Sequence, residues 1–271
     1  LAWHATAERR LLIREARTPW EILVAEVMSQ QTGIERVGPA WRRFVDAWPS
    51  PDLLASAPTR DLLAAWSGLG YNRRALALRE AARRIRDDHD GEVPRDVEAL
   101  EALPGIGPYT ARAIAATAFG TAVAPLDVNV RRVVSRVTGI DPHEKRLQAA
   151  ADELVDTTDP RRWLNAVMDL ASATCSKVDP RCVACPVADL CASRGMLADR
   201  LASRRSLPFP ATTRWLRGRL VATVTHAPDG AWVELPDRLG VHDAFAVQAA
   251  ARSLEAEGFL EIDDARVRIR E

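Results

Sequence analysis

The sequence predicts a mostly α-helical protein with enough apolar material for one or two cores, closed by a small α+β module at the C-terminal end. Three observations predict this. Helix start signals and helical apolar periodicity recur from residue 18 to residue 174, in a chain of 271 residues that is rich in Ala and Leu and has only 2 Tyr. Strand-type alternation is confined to the last segment, after Gly258. All 4 Cys fall between Cys175 and Cys191, a clustering that suits a bound centre and not a disulfide framework.

The elements follow in order. Thr18, Pro19, Trp20 and Glu21 form a capping box with Pro at the first helical position, and the helix they open runs to about Gln30. Helices are predicted near 35–47, 51–57, 59–66 with Thr59 as cap, and 72–88, with Ser50-Pro51 and the pair Gly68 and Gly70 as punctuation. A short helix at 95–102 leads into Leu103-Pro104-Gly105-Ile106-Gly107-Pro108-Tyr109-Thr110, and an Ala-rich helix continues to about 118. Asp127 stands at the N-cap position of a helix over 128–138, and helices at 143–156 and 161–174 lead to the cysteines. Residues 206–214, with Pro208 and Pro210, read as a linker. Helices at 215–226 and 242–257 are followed by two alternating runs across Asp263-Asp264, a β-hairpin that completes a winged-helix-like module over 215–271.

Composition excludes several classes. The 37 basic and 37 acidic residues balance, and 47% of the chain is hydrophobic, so it is not a disordered polyelectrolyte. No run of ~18 apolar residues offers a membrane span. No secretory pattern is visible, so a cytoplasmic monomer is expected, with a short leader trimmed before Leu1. Only Lys145 and Lys177 are lysines, which excludes most lysine chemistry.

The cysteines are spaced Cys175-x6-Cys182-x2-Cys185-x5-Cys191. Four thiolates so close in sequence converge on one centre with little loop-closure entropy, and both zinc and an iron–sulfur cluster accept four Cys ligands. Lys177, Arg181 and Arg194 make the rim cationic, as a phosphate-binding loop requires. Gly105 and Gly107 let backbone amides approach a ligand at the start of the next helix, where an anion is favoured. A tight structural turn accounts for the two glycines equally well when they are taken alone.

Glu26 to Thr32 (Glu26-Val27-Met28-Ser29-Gln30-Gln31-Thr32), Gly68-Leu69-Gly70-Tyr71, the segment from Leu103 to Thr110, Leu126-Asp127-Val128-Asn129-Val130 and the cysteine loop occur in this order. Together they resemble the helix–hairpin–helix (HhH-GPD) DNA glycosylases, most closely the MutY adenine-glycosylase branch, over roughly residues 1–205. The resemblance implies a two-lobed fold with DNA in the cleft. Residues 1–18 would be an N-terminal helix packing with the cluster lobe. Residues 19–125 would form a six-helix barrel lobe with the helix–hairpin–helix, and 126–205 a lobe holding a 4Fe–4S cluster on Cys175, Cys182, Cys185 and Cys191.

Breaking the bond between a base and C1′ needs a proton donor for the base and an anion for the cationic sugar, two carboxyl groups with opposite protonation. Glu26 lies in an apolar helix, where burial raises its pKa, and Asp127 lies at a helix start, where it stays ionised. Pattern alone reads them more simply, as a solvated face and a plain cap. The resemblance makes Glu26 the acid at adenine N7 and Asp127 the stabiliser of the sugar, with Asn129 in support. It places Tyr109 where bifunctional relatives carry a Schiff-base lysine, so a monofunctional enzyme is expected. It assigns Gln31 and Tyr71 to the gap left by the extruded base, and Gln30, Thr32 and Leu69 to its neighbourhood. Gly105, Gly107 and Arg131 would meet phosphate; Arg132 is a further candidate, whereas Arg73, Arg74, Arg79, Arg83 and Arg84 read as a solvated helix face.

The chain departs from the pattern in three places. Leu11, Ile13 and Arg14 align with a segment that lines the adenine pocket, and Ile13 replaces the usual Trp. Ser29 stands where Leu is frequent. The residues from Trp215 onward are too few for the Nudix-like domain of longer members. Arg214, Arg217 and Arg219 could meet phosphate, and a solvated helix end is the simpler reading of them. Double-stranded DNA with adenine opposite 8-oxoguanine or guanine is the expected substrate. A thymine or uracil mismatch glycosylase and a non-catalytic lesion-binding iron–sulfur protein are the alternatives.

Overall fold

Local signals fix most helix ends. The capping box closes reciprocally: Glu21 N donates to Thr18 Oγ1 at 3.2 Å, and Glu21 Oε2 accepts from Thr18 N at 3.2 Å and Arg17 N at 2.6 Å. In this computed structural model, which describes residues 1–195, 208–228 and 230–270, the helices are α1 (His4–Ala7), α2 (Pro19–Ser29), α3 (Ile34–Ala47), α4 (Pro51–Ala55), α5 (Thr59–Ala65), α6 (Arg73–Asp88), α7 (Val97–Glu101), α8 (Pro108–Phe119), α9 (Val128–Thr138), α10 (Arg146–Glu153), α11 (Pro160–Ala173), α12 (Thr213–Thr225) and α13 (Ala244–Ala256). The strands are β1 (Val233–Glu234), β2 (Arg238–Leu239), β3 (His242–Asp243), β4 (Leu260–Asp263) and β5 (Arg266–Ile269). Residues 206 and 207 of the expected linker lie outside the described residues. No helix among the described residues is long and apolar enough to cross a membrane.

The chain divides into two compact units, Leu1–Glu26 with Val93–Ser203, and Val27–Glu92 with Arg204–Glu271. Compactness therefore groups 93–125 with the cysteine segment, not with residues 27–92 as the sequence reading had it.

In the first unit, α8, α9, α10 and α11 enclose a core of Ala113, Val130, Val134, Leu147, Ala151 and Leu164, closed by Trp163. The N-terminal segment is less helical than expected: only α1 and a 3₁₀ turn at Leu12–Glu15 form. Its anchor is a buried carboxylate. Asp169 on α11 accepts from His4 Nε2 at 3.0 Å, from Arg9 N at 3.1 Å and from both terminal nitrogens of Arg14 at 2.8 and 2.9 Å. Burial alone would raise the Asp169 pKa; the Arg14 fork and the Arg9 amide overcome this and hold it below the usual carboxylate range.

In the second unit, α3 to α6 bury Trp41, Phe44, Leu54, Leu62, Trp66, Leu78 and Ile85. Phe44 meets Trp66 edge to face with centroids 5.8 Å apart, a preferred aromatic geometry. Arg79 and Arg83 are not a solvated face: Arg79 Nη1 donates to the Ala57 carbonyl at 2.9 Å and Arg83 Nε to that of Ala55 at 3.1 Å, tying α6 to the end of α4. The expected C-terminal hairpin is present as β4–β5, turning at Asp264 with φ 57°. β1 adds to it, giving the antiparallel order β1-β5-β4 beside the separate pair β2–β3. Arg217 on α12 is not a free helix end, since it pairs with Glu257 Oε2 at 2.8 Å.

Asp169→Asn is expected to destabilise the protein by about 3 kcal/mol in urea unfolding, because it removes the buried partner of the Arg14 charge in a largely dry site. Arg194→Ala, which breaks an exposed pair with Asp189, is expected to change stability by less than about 1 kcal/mol.

Candidate active site

Two carboxyl groups and one phenol meet in the first unit. Glu26 sits on α2 between buried Ala25 and Val27 and is itself mostly buried. Removal from water pushes its pKa up to about 7, and the charge of Asp127 adds to the rise. Tyr109, on the first turn of α8, packs against the α8–α11 core. Burial drives its pKa well above the usual phenol range, and the charges of Glu26 and Asp127 push the same way. Glu26 thus feels Asp127, and Tyr109 feels both, although the three come from separate stretches of sequence.

Asp127 is held where the sequence placed it, at the N-cap of α9. Its Oδ1 accepts from Asn129 N at 2.8 Å and Val130 N at 2.7 Å, and Oδ2 accepts from Asn129 Nδ2 at 2.8 Å. The stretch before it is fixed by α10 and α8: Ala124 N donates to Asp152 Oδ1 of α10 at 2.7 Å, and the Ala124 carbonyl accepts from Arg112 Nε of α8 at 2.9 Å. Arg132 extends the tie toward the cysteine loop. It donates to Asn129 Oδ1 at 3.1 Å, to the Cys175 carbonyl at 2.9 Å and to the Ala171 carbonyl at 3.1 Å. Arg132 and Arg131 were both read as phosphate contacts. Each is partly buried, and Arg131 Nη1 engages the Pro142 carbonyl at 2.7 Å.

The glycine turn has the expected form. Gly105 has φ 80°, which favours glycine, and Gly107 is the exposed N-cap of α8, where an added Cβ would meet nothing within 4 Å. The pocket assignment fares differently. Arg14, expected at the base pocket, is engaged by Asp169. Leu11 and Ile13, partly buried, flank the start of the 3₁₀ turn.

The four cysteines line one cavity of about 180 Å³, together with Arg136, Thr174, Pro180, Ala188, Ser193 and Arg194. Burial raises the Cys185 pKa, and the charges of Cys175, Cys191 and Cys182 add to it, so all four sulfurs share one neighbourhood. Arg136 spans the rim, donating to Cys175 Sγ at 3.3 Å and the Ser176 carbonyl at 2.7 Å. Among the described residues no group of three His, Cys, Asp or Glu is arranged to hold a single metal ion.

In the second unit, the segments 27–32 and 68–74 are joined by one side chain. Arg74 Nη1 donates to the carbonyls of Val27 and Met28 at 2.9 Å and of Gln30 at 2.5 Å. Its Nη2 donates to Thr32 Oγ1 at 2.9 Å and to the carbonyls of Leu69 at 3.3 Å and Gly70 at 3.0 Å. Thr32 Oγ1 also donates to the Leu69 carbonyl at 3.2 Å. Burial lowers the Arg74 pKa to about 10, with the Tyr71 phenol acting the other way. It was read as part of a solvated face, and nothing in its own neighbourhood of sequence signals this role. Gln31 and Tyr71, the residues expected to enter the duplex, are exposed, whereas Leu69 is buried. Both hold positive φ, 53° and 50°, and the only other non-glycine residues that do so among the described residues are Asp90 and Asp264. A bulky residue in that region is strained, and strain of this kind collects at functional sites.

Residues 24–157 match the HhH-GPD superfamily of base excision DNA repair proteins, and the chain belongs to that family. The match takes in Glu26, Tyr109, Asp127 and Asn129. Within the family the chain is similar to proteins described as adenine DNA glycosylases. That of Mycobacterium tuberculosis (strain ATCC 25618 / H37Rv) is 41% identical over 234 residues, 82% of this chain and 75% of the relative. That of Mycolicibacterium smegmatis is 36% identical over 267 residues, 96% of this chain and 91% of the relative. Among solved structures, a thermostable thymine-DNA glycosylase superposes with a TM-score of 0.67 at 29% identity, over 71% of this chain and 92% of the other. Endonuclease III in a non-covalent DNA complex superposes at 0.62 and 25% identity, over 71% and 90%.

A carboxyl group raised from 4.5 to about 7 binds more protons in the native than in the unfolded state across that window. Native stability therefore falls as pH rises through it. Glu26→Gln removes the effect. It is expected to be about 2–3 kcal/mol more stable than the parent near pH 8 and no more stable below pH 4.5, by denaturant unfolding at each pH.

Proposed function

We propose that the chain is a monofunctional adenine DNA glycosylase of base excision repair, releasing adenine mispaired with 8-oxoguanine or guanine. The observation that carries this is the shared site of Glu26 and Asp127, in which one carboxyl keeps its proton near neutrality and the other is held by amide donors. Similarity to adenine glycosylases over nearly the whole chain, C-terminal module included, supports the choice of base.

The substrate nucleotide leaves the duplex stack, as chemistry on a base requires. Glu26 donates its proton to N7 of the adenine. The electron pair of the C1′–N9 bond passes to the base, and the sugar becomes an oxocarbenium ion. The Asp127 carboxylate, fixed by α9, faces that cation and stabilises it. Water adds to C1′, and its proton passes to the Glu26 carboxylate, restoring the acid. The Tyr109 phenol, held neutral, offers no amine for a Schiff base, so the product is an abasic site in an uncut strand. Double-stranded DNA carrying the mispair is the substrate, and a monomer suffices, since the groups invoked come from one chain. Gly105 and Gly107 present amides to a phosphate at the start of α8. Gln31 and Tyr71, on the strained loops, fill the gap.

Cys175, Cys182, Cys185 and Cys191 would hold a 4Fe–4S cluster. Four sulfurs on the wall of a cavity of about 180 Å³ suit a polynuclear cluster, for which one ion is small. When bound, the cluster supplies covalent cross-links that fix the loop from Cys175 to Cys191. Arg136 and Arg132 bind that loop's carbonyls, so its order reaches Asn129 and Asp127.

The thymine-DNA glycosylase likeness and Ile13 keep one second reading, removal of thymine or uracil opposite guanine. Duplexes with A·8-oxoguanine, A·G, T·G and U·G, incubated with protein and then heated in alkali, decide between them. Cleavage is expected at adenine; cleavage only at thymine or uracil overturns the assignment. Release should slow above about pH 7 as Glu26 loses its proton, and Glu26→Gln should abolish it while DNA binding persists. Borohydride should trap no covalent adduct.

Cluster content is tested separately. Iron analysis should find about four iron atoms per chain, with absorbance near ~400 nm where iron–sulfur charge-transfer bands lie. Bound zinc without iron would refute the cluster.

A further inference from the structure

The segment leading into α12 reaches back to a residue far away in sequence. Arg214 Nη1 donates to the Tyr71 phenol oxygen at 2.6 Å. The same guanidinium lies 5.1 Å from the centroid of the Tyr71 ring and 5.0 Å from that of Phe209. The guanidinium of Arg74 lies over the Tyr71 ring as well, at 5.6 Å. The group stands at the surface, with Tyr71 39% and Phe209 52% exposed. Two exposed aromatic rings joined by one planar cation are not a core contact, and burial does not explain them.

Arg214 is not on a loose tail. Thr212 Oγ1 caps α12 by accepting from Trp215 N at 3.2 Å and donates to the Phe209 carbonyl at 2.6 Å. Trp215 stacks on His242 with centroids 5.9 Å apart. At the other end of α12, Arg60 of α5 donates to the Thr225 carbonyl at 3.0 Å and also to that of Ala227. Tyr71, Phe209, Arg214 and Arg60 all belong to the same compact unit.

We propose that Arg214 is a positioning residue for Tyr71: it fixes the ring in the orientation that enters the duplex. The inference rests on the reading of Tyr71 as the residue that fills the gap. An exposed ring free to turn about its side-chain torsions must lose that freedom on insertion. A hydrogen bond at the phenol together with a guanidinium 5.1 Å from the ring centroid removes it beforehand, so less of the binding energy is lost to ordering. Arginine can stack and donate at once; lysine keeps the charge without the plane. The module after the linker thereby acts on the base-extruding step through Tyr71, without touching the reacting atoms.

The test uses the full chain with Glu26→Gln, so that no base is released, and a duplex with 2-aminopurine in place of the target adenine opposite guanine. Fluorescence reports unstacking and anisotropy reports affinity. Arg214→Ala is expected to lower both about fivefold, and Arg214→Lys to resemble it. In a Tyr71→Ala background, adding Arg214→Ala is expected to change neither. Equal losses in both backgrounds would mean that Arg214 acts on DNA directly, and full unstacking and affinity in Arg214→Lys that charge suffices; either sinks the proposal. A Tyr71→Ala variant that unstacks the base as well as its parent removes the role of Tyr71 and this inference with it. Adenine release by the wild-type chain on the A·G duplex, measured alongside, tests the proposed function by itself.

Discussion

A carboxylic acid keeps its proton near neutrality only where water is kept from its anion, and the proposed chemistry depends on Glu26 meeting that condition. The apolar residues on either side of it in α2 supply the dryness. Asp127 supplies the second push, because a charge nearby makes a second negative charge costly. The two groups have nearly the same acidity in water, and the surroundings of Glu26 raise its pKa. Asp127 remains an acceptor because the first turn of α9 and the Asn129 amide donate to it. A helix N-terminus favours negative charge for the same reason that it favours an N-cap. One residue thus serves as both cap and charge, and the simple reading and the catalytic reading of Asp127 are compatible.

Arginine is the second recurring device. The 35 Arg beside 2 Lys look in the sequence like surface charge. Many are in fact cross-links: Arg74, Arg79, Arg83, Arg132 and Arg136 each donate to main-chain carbonyls of another segment. A planar fork with five donors reaches several carbonyls that helix ends and loops leave unpaired. Lysine, a single strongly hydrated point charge, does this poorly. The composition is therefore a structural fact about how irregular segments are fastened.

What could be read from the sequence was what is decided locally. The capping box at Thr18, the Asp127 cap and the Ala-rich α8 depend on neighbours within a few residues, and their positions came out to within a residue or two. The cysteine loop was legible because its four sulfurs lie close in sequence. The partners of Arg14, Arg74 and Arg214 were not legible, since Asp169, Gln30 and Tyr71 lie elsewhere in the chain and no pattern joins them. The short α1 was overpredicted because Asp169, from α11, takes the Arg9 amide. Strand β1 was missed because it is two residues long and pairs with β5 across the length of α13. Motif order supplied the link between Glu26 and Asp127, which pattern alone left as a helix face and a cap.

The loops bearing Gln31 and Tyr71 show why such fastening is placed where it is. A non-glycine residue in the left-handed region is disfavoured by roughly 1–3 kcal/mol. Two such residues persist only if their surroundings over-determine the backbone. Arg74 does this from the middle: its bonds reach both segments, and hydrogen bonds to a charged group contribute about 1.5–3 kcal/mol each. With the main chain held, the two side chains need not fold back onto the core and stay presented to solvent. Relaxing the strain with glycine would free the backbone and lose the presentation. The conformation that looks least favourable residue by residue is therefore the one that keeps an amide and a ring exposed to solvent.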